Sequence, residues 1–507
     1  MSSYDAGGRA RALLERALDV MDDEDDARIR VGAAKDRLDE PIRVALAGRI
    51  KAGKSTLINA FLGEQVAPTD TGECTKVVTW YRGGASPRVR VVPRNGSPIE
   101  RPVHRVDGAL RLDTAGLDIG EVLRIEVDWP SPALEHLTLI DTPGLASLSE
   151  EVSAHSMDAL VPERSASEVD AVVYLLRHLH ASDADFLSSF RERQGLSNAP
   201  ATTLGVLARA DEVGAGRIDA LLGAATVADR YRNDPTVRTL CIDVVPVAGL
   251  LAEGARTMRQ TDFELFRVLS GLSRAEREHL LISADRFANE PLEQLDLPSE
   301  LRAALLAKFG VFGIRLGTVL VRDGFDTATD LSNELVRRSG LDQVSRILTL
   351  QFAGRADALK GRTALLTLRR ELTGHGPEVD ELREDLESAL RDVHELNEMR
   401  LLGELRTSQP PALGATALVA ADRVLGGMGT STSCRLGVSD GLSREQLLRE
   451  ALGQLREWRS TASDPGLGEV EVSAARTVIR TLEGLVVRLD DADGAAEGTA
   501  PDPWFVS

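Results

Sequence analysis

The stretch VALAGRIKAGKSTLINAFLG, residues 44–63, narrows the folds open to this chain more than any other part of it. Its first residues form a short apolar run without polar alternation, which suits a strand covered on both faces. A glycine-bearing turn follows and leads straight into a helical pattern. A doubly covered strand feeding a helix is half of a β–α–β crossover, and such units build parallel sheets flanked by helices. The turn itself reads Gly48, four residues, then Gly53-Lys54-Ser55. That is the GxxxxGK[ST] spacing, in which main-chain N–H groups turn inward around phosphate oxygens. Lys54 would reach the β/γ-phosphates, the Ser55 hydroxyl would hold Mg²⁺, and the helix would aim its positive end at the anion. Gly48, Arg49, Ile50, Lys51, Ala52, Gly53, Lys54 and Ser55 are therefore the candidate phosphate cradle.

The pattern of that stretch repeats along the chain. Apolar strand runs recur at RVALAG, KVVTWYR, RVRVVP, LRIEVDW, HLTLID, AVVYLL, TLGVLA and CIDVVPV, from about Pro41 to past Gly249. The expected fold is an α/β P-loop domain with a mostly parallel sheet, and the hairpin-like set from Lys76 to Trp129 adds an antiparallel edge. Beyond about Leu341 the strand signal stops. Val379, Leu382, Leu386, Ala389, Val393 and Leu396 step by threes and fours, an a/d seam for helix packing. A capping box at Ser443 and Gln446 opens a further helix. At the N-terminus Leu13, Leu14, Ala17, Leu18 and Met21 form another apolar stripe. The expected division is N-terminal helices over 1–40 packing with the C-terminal bundle, an α/β domain over 41–345, an all-α bundle over 346–490 and a loose tail over 491–507.

Further motifs follow in order. Asp141-Thr142-Pro143-Gly144 ends the apolar run LTLI, where Asp141 is placed to support Mg²⁺ and the Gly144 N–H to sense a γ-phosphate. Between the two motifs lies APTDTGECTKVV. A threonine there would complete the Mg²⁺ shell; Thr75 is favoured because it immediately precedes a strand, with Thr69 and Thr71 as rivals. Ala208-Arg209-Ala210-Asp211 follows the strand TLGVLA, where guanine-nucleotide proteins carry Asn/Thr-Lys-x-Asp. Asp211 would accept from guanine N1 and its exocyclic amine, and the Arg209 stem would lie over the base. Ala208 lacks the polar side chain that ties this loop to the phosphate loop, which leaves an ATPase or a weakly specific NTPase open. Val247, Ala248 and Gly249 would add backbone contacts to the base. The order is that of a GTPase domain.

Composition bounds the partners. The 507-residue chain carries a formal charge of −19, which argues against nucleic acid and against adhesion to anionic lipid by bulk charge. Cys74, Cys241 and Cys434 show no metal-ligand spacing and fit a reducing cytosol. No signal-peptide pattern is read, and no run approaches the ~18 apolar residues of a membrane span, so membrane contact is expected to be peripheral. The histidines, His104 and His136 among them, are read as surface or core rather than catalytic residues.

On LAGRIKAGKSTLINAFLG, APTDTGECTKVVTWYR, LIDTPGL, VVPVAGLLAEGAR, LLAKFGVFGIR, LVRRSGLDQV and FAGRADALKGRTAL, the chain resembles the bacterial dynamin-like proteins. It is most similar to the isoniazid-inducible members of mycobacteria and related actinobacteria, the shorter of the pair above all, with ARADEVGAGRIDALL and LGGMGTSTSCRLGV adding to the likeness. The resemblance implies a large GTPase that binds and hydrolyses GTP with Mg²⁺, helical neck and trunk segments, activation by self-association across the nucleotide face, and membrane remodelling or maintenance under envelope stress from the cytoplasmic side. A GTP-regulated scaffold, or a partner of a longer paralogous dynamin-like protein that never enters lipid, is the alternative. Two departures stand out. Dynamins usually carry Gln-Ser where this chain has Ile50-Lys51, so the Lys51 ammonium is expected to supply transition-state charge in place of a bound monovalent cation. The trunk is also short, and Pro410–Met428, with Leu413, Leu418, Val419, Val424, Leu425 and Met428, is the candidate for a lipid-touching tip, or else for packed core or an inter-subunit contact.

Overall fold

The computed structural model describes residues 6–21, 26–68, 77–106, 109–112, 114, 116–143, 169–177, 183–185, 187–188, 202–214, 216–290, 297–374, 376–391, 393–406 and 411–490. Thr69, Thr71, Thr75, Gly144 and the 491–507 tail lie outside these residues. The strands are β1 (Ile42–Gly48), β2 (Thr79–Gly83), β3 (Arg88–Pro93), β4 (Ile99–Arg101), β5 (His104–Val106), β6 (Ala109–Arg111), β7 (Val122–Trp129), β8 (Leu137–Asp141), β9 (Ala171–Leu176), β10 (Thr203–Ala208) and β11 (Asp243–Val247). Nine of them make one sheet in the order β11-β10-β9-β1-β8-β2-β7-β3-β4, while β5 and β6 pair separately. From β11 to β8 all neighbours are parallel. β2 runs antiparallel to β8 and parallel to β7, and β3 is antiparallel to both β7 and β4. The mixed wing is thus the expected antiparallel edge, with one parallel pair inside it.

Register decides where the site falls. Leu46 lies opposite Asp141, Gly48 opposite Leu175 and Ala208 opposite Val247. The carboxyl ends of β1, β8, β9, β10 and β11 therefore share one edge, the place where open α/β sheets hold ligands. Successive β1 side chains alternate between two apolar layers. Ile42, Val44 and Leu46 pack with Leu57, Ile58 and Phe61 on one face. Ala45 and Ala47 join Ile140, Val172 and Tyr174 on the other.

Among the described residues one helix, Ser299–Arg322, is long and apolar enough to cross a membrane by length and composition, which corrects the expectation that no segment qualifies. It serves as a core helix. Phe309, Phe312, Ile314 and Leu320 are buried, and Phe309 meets Phe266 edge-on at 5.1 Å between ring centres. Gly310, at φ 63, kinks it, and Lys308 is tied to Asp262 at 2.6 Å.

The helical seams close in two places. Helices Ala6–Val20 and Asp26–Asp36 cover Ala356–Glu371 and Pro377–Arg391, burying Leu13, Leu14, Ala17, Val31, Leu365, Leu368, Leu382 and Leu386 together. Helices His394–Leu405, Ala415–Val424, Arg444–Ala462 and Glu469–Asp490 bury a separate cluster around Leu402, Leu455, Trp458, Val478 and Leu482. The seam read continuously from Val379 to Leu396 is thus split between two helices. The capping box forms, with the Ser443 N–H donating to Gln446 Oε1 at 2.8 Å and the Gln446 N–H to Ser443 Oγ at 3.3 Å. Within 411–428, Ala421, Val424 and Leu425 are buried and Leu413 packs against the same cluster, while Val419 and Met428 are exposed. The 425–430 turn docks inward: Arg355 Nη2 donates to the Leu425 carbonyl, and Gln351 Nε2 to the Gly426 carbonyl at 3.2 Å.

Candidate functional site

The phosphate loop is built on two glycines for different reasons. Gly48 ends β1 at φ 145, and a Cβ there would lie 2.5 Å from the Leu175 carbonyl oxygen, so neighbouring backbone excludes any side chain. Gly53 caps the following helix, Lys54–Leu62, at φ 102 with open space around it, so it supplies conformation rather than room. Between them the Ala52 N–H donates to the Arg49 carbonyl at 3.1 Å, closing a tight turn. Lys51 sits in that turn at φ 61. It is one of two non-glycine residues with positive φ among those described, the other being Arg209 at φ 54. Holding an L-residue there costs roughly 1–2 kcal/mol.

Lys54 is buried, and its Nζ donates to the carbonyls of Gly48 at 3.3 Å and Arg49 at 3.5 Å. Burial pulls its pKa down, and the nearby Asp141 carboxylate opposes that. The Ser55 hydroxyl donates to Asp141 Oδ2 at 2.9 Å. Burial raises the Asp141 carboxyl, with Lys54 and Ser55 pulling the other way. Its second oxygen, Oδ1, is buried without a hydrogen-bond partner. An orphaned carboxylate oxygen next to a serine hydroxyl is a hard-oxygen donor set, and it fits Mg²⁺ completed by phosphate and water. Thr142 anchors the end of β8 through a 2.8 Å bond from its hydroxyl to the Leu46 carbonyl.

The residues expected to meet the base lie on the next strands along the same edge. A cavity of about 210 Å³ is lined by Gly53, Thr56, Ala208, Arg209, Asp211 and Leu250, with Val247 and Gly249 also in its wall. Burial raises the Asp211 carboxyl above its ordinary range. Ala248 is fully buried, and its N–H donates to the Ser339 carbonyl at 2.9 Å, which fixes the Val247–Gly249 turn. Arg209 lines the cavity, and its Nη2 donates to the Lys51 carbonyl at 2.9 Å. The tie to the phosphate loop that Ala208 cannot make is therefore supplied by its neighbour. The two left-handed residues of this edge are the two that this bond joins.

Three participants carry no sequence signature. Asp183 receives the Tyr174 hydroxyl at 2.8 Å and Arg49 Nε at 3.3 Å, which anchors the phosphate loop sideways. Glu212 takes Arg209 at 2.7 Å and also pairs with Arg177. Buried Glu253 accepts from Asn59 at 3.1 Å, and the Asn59 amide oxygen in turn receives the Val66 and Ala67 N–H groups. A larger cleft of about 950 Å³ lies on the antiparallel wing. Its Arg43, Arg82, Arg90 and Arg124 are already matched by Glu40, Asp128 and Glu126, so its size does not make it the reactive site.

A parallel sheet whose carboxyl edge carries a glycine-built phosphate loop, a serine–aspartate pair and an aspartate-bearing base pocket defines a P-loop GTPase domain. The sequence model of the dynamin family matches residues 44–210. The chain is 41% identical over 458 residues to the isoniazid-induced protein IniC of Mycobacterium tuberculosis, covering 90% of this chain and 92% of that protein. It is 34% identical over 158 residues to IniA of the same organism, 30% of this chain and 24% of that one. Over 123 residues it is 30% identical to dynamin-like protein 2 of Campylobacter jejuni, 24% of this chain and 20% of that protein. The chain belongs to the dynamin family: it is a bacterial dynamin-like GTPase, an enzyme that hydrolyses GTP.

Proposed function

We propose that this GTPase uses its cycle to drive nucleotide-dependent self-association across the nucleotide face, coupled to membrane remodelling or maintenance under envelope stress from the cytoplasmic side. The observation that carries the reading is the convergence of buried Lys54, the Ser55–Asp141 pair and the Asp211 pocket on one sheet edge, in a chain that matches 92% of the length of IniC. The main-chain amides of 48–55 bind the phosphates and Lys54 bridges the β and γ groups. Ser55 and Asp141 hold Mg²⁺, with Thr75 assigned to the same shell; the ion, when bound, neutralises charge on the phosphate oxygens. Gly144 reads the γ-phosphate through its N–H. Asp211 takes the guanine edge, with Val247, Ala248 and Gly249 beside it. Lys51, whose ammonium is exposed and has no partner among the described residues, is assigned to charge developing on the γ-phosphoryl group. Water is the nucleophile, so the protein's contribution is positioning and electrostatics. GTP turnover measured against protein concentration, with and without liposomes, tests this. Specific activity is expected to rise with concentration and further with lipid; a flat response in both arms refutes self-association as the activator.

A second reading is favoured by the inward docking of the 425–430 turn, which buries Leu425, Gly426 and Gly427 of the tip candidate and leaves Val419 and Met428 as its exposed large apolar residues. In that reading the chain acts as the GTP-regulated partner of a longer paralogous dynamin-like protein and does not itself insert into lipid. Liposome flotation with GTP separates the two, since only the first reading has the isolated chain float.

A further inference from the structure

The loop that carries Asp211 leaves β10 and passes through Gly214 and Gly216, both at φ 67. Arg209 holds its near end to the Lys51 carbonyl. Its far end is held by a residue 99 positions away. Arg315 Nη1 donates to the Gly216 carbonyl at 2.7 Å, and its Nη2 donates to the Leu281 carbonyl. Among the described residues Arg315 makes no ion pair. A guanidinium committed to two main-chain carbonyls fixes backbone to backbone, and its rigid fork suits that task better than a lysine. The helix bearing Arg315 meets the pocket a second time. A Cβ on Gly310 would lie 3.4 Å from Leu250 Cδ2, and Leu250 lines the base cavity. One helix therefore backs both a wall of the pocket and the end of its recognition loop.

We propose that Arg315 is a positioning residue for base recognition, holding the Gly216 end of the loop so that the Asp211 carboxylate stays in the pocket. The proposal rests on the assignment of Asp211 to the guanine edge. A partly buried carboxylate gains solvation by swinging outward, and a glycine-rich loop offers little resistance to that movement. The brace opposes it. Lys54, Ser55 and Asp141 stand on other elements, so loosening this end of the loop changes base discrimination and leaves phosphate chemistry in place.

The test measures GTP, ITP and XTP turnover by the full chain and its variants. ITP lacks the exocyclic amine of guanine, and XTP carries an oxygen in its place. Arg315→Ala is expected to raise KM for GTP about tenfold, the worth of one charge-assisted hydrogen bond, and to reduce the preference for GTP over ITP. Its kcat at saturating GTP should stay within about twofold, since the transition-state contacts are untouched. Arg315→Lys should recover part of the preference. Gly216→Ala perturbs the same loop end without touching the helix and should shift the GTP-to-ITP ratio in the same direction, which covers the case of a poorly folding Arg315→Ala. An unchanged ratio in either folded variant, or a loss confined to kcat, overturns the proposal. Asp211→Asn should move preference from GTP towards XTP; if it does not, the base assignment itself fails and Arg315 loses its role with it.

Discussion

Lys51 holds a left-handed turn through its backbone, and the role proposed for its side chain can be separated from that one. Its φ of 61 is a conformation glycine takes freely. Lys51→Ala and Lys51→Gly both delete the ammonium, but only alanine keeps the backbone strain, roughly 1–2 kcal/mol. If the ammonium meets charge on the γ-phosphoryl group, kcat falls by about 10²-fold in both variants, the usual loss of one preorganised transition-state contact. Lys51→Gly should then be the more stable of the two by thermal unfolding. A Lys51→Gly enzyme of normal kcat would show that the residue acts through its backbone alone. The residue scale also marks how far the sequence could be read. Gly48, Lys54, Ser55, Asp141 and Asp211 were legible as candidates because they fall in motifs of fixed spacing, and the fold brings them to one sheet edge. Asp183, Glu212 and Arg315 were not, because each acts through a contact with a distant segment, and no spacing records such a contact. Arg209 was legible as a candidate residue of this pocket, whose wall it lines, but its bond to the Lys51 carbonyl needed the loop's left-handed turn.

At the scale of elements, the strands read from the sequence are those that carry an apolar run; some, such as Ala171–Leu176 and Thr203–Ala208, are buried along their whole length, while Arg88–Pro93 is buried only at alternate positions. The strands that escaped reading are three residues long and largely exposed, Ile99–Arg101 and His104–Val106 among them, so no apolar run announces them. The split of the Val379–Leu396 seam also escaped, because the apolar spacing continues across the turn between helices. Helix junctions set the site as firmly as the strands do. Gly340 joins helices Ala328–Ser339 and Leu341–Ile347 at φ 85, and a Cβ there would lie 2.2 Å from the Pro246 carbonyl oxygen in β11. Gly340→Ala must displace the strand that ends at Val247, so a loss of about 2–3 kcal/mol and weakened GTP binding are expected together. Gly324→Ala is the control, since Gly324 has φ 103 but nothing within 4 Å of a Cβ. It should cost only the strain, about 1 kcal/mol, with GTP affinity unchanged. Equal losses in urea titrations of the two variants would refute the packing account of Gly340.

At the scale of the whole molecule, the α/β domain and the last helical cluster meet around buried charge. The chain leaves the first through a π-helical turn, Leu348–Phe352, followed by Arg355. Arg355 Nη2 lies 3.3 Å from Glu398 Oε2, and Arg435 Nη1 lies 2.8 Å from Glu398 Oε1. Thr481 donates to Glu398 Oε1 at 2.8 Å and contacts His394 Nε2 at 2.9 Å. Burial alone would raise the Glu398 carboxyl, but Arg435 and Arg355 outweigh it and hold the group at about 2. Burial lowers His394 from 6.5 to about 4, against the pull of Glu398. Between pH 6.5 and 4 the unfolded chain therefore takes up a proton on His394 that the folded chain refuses. Stability must fall as pH drops through that window, by about 3 kcal/mol in all. The stabilisation from Glu398 is complete above its ordinary pKa of 4.5 and drains away as pH falls towards 2, so the two losses follow one another. His394→Gln keeps a polar partner for Thr481 and removes only the first loss. Unfolding midpoints of the two proteins, followed from pH 8 to 3, should diverge in slope between 6.5 and 4, the variant staying flatter, and run parallel below that. Matching slopes throughout would mean that His394 binds its proton equally well in the folded and the unfolded chain, so that burial does not depress it.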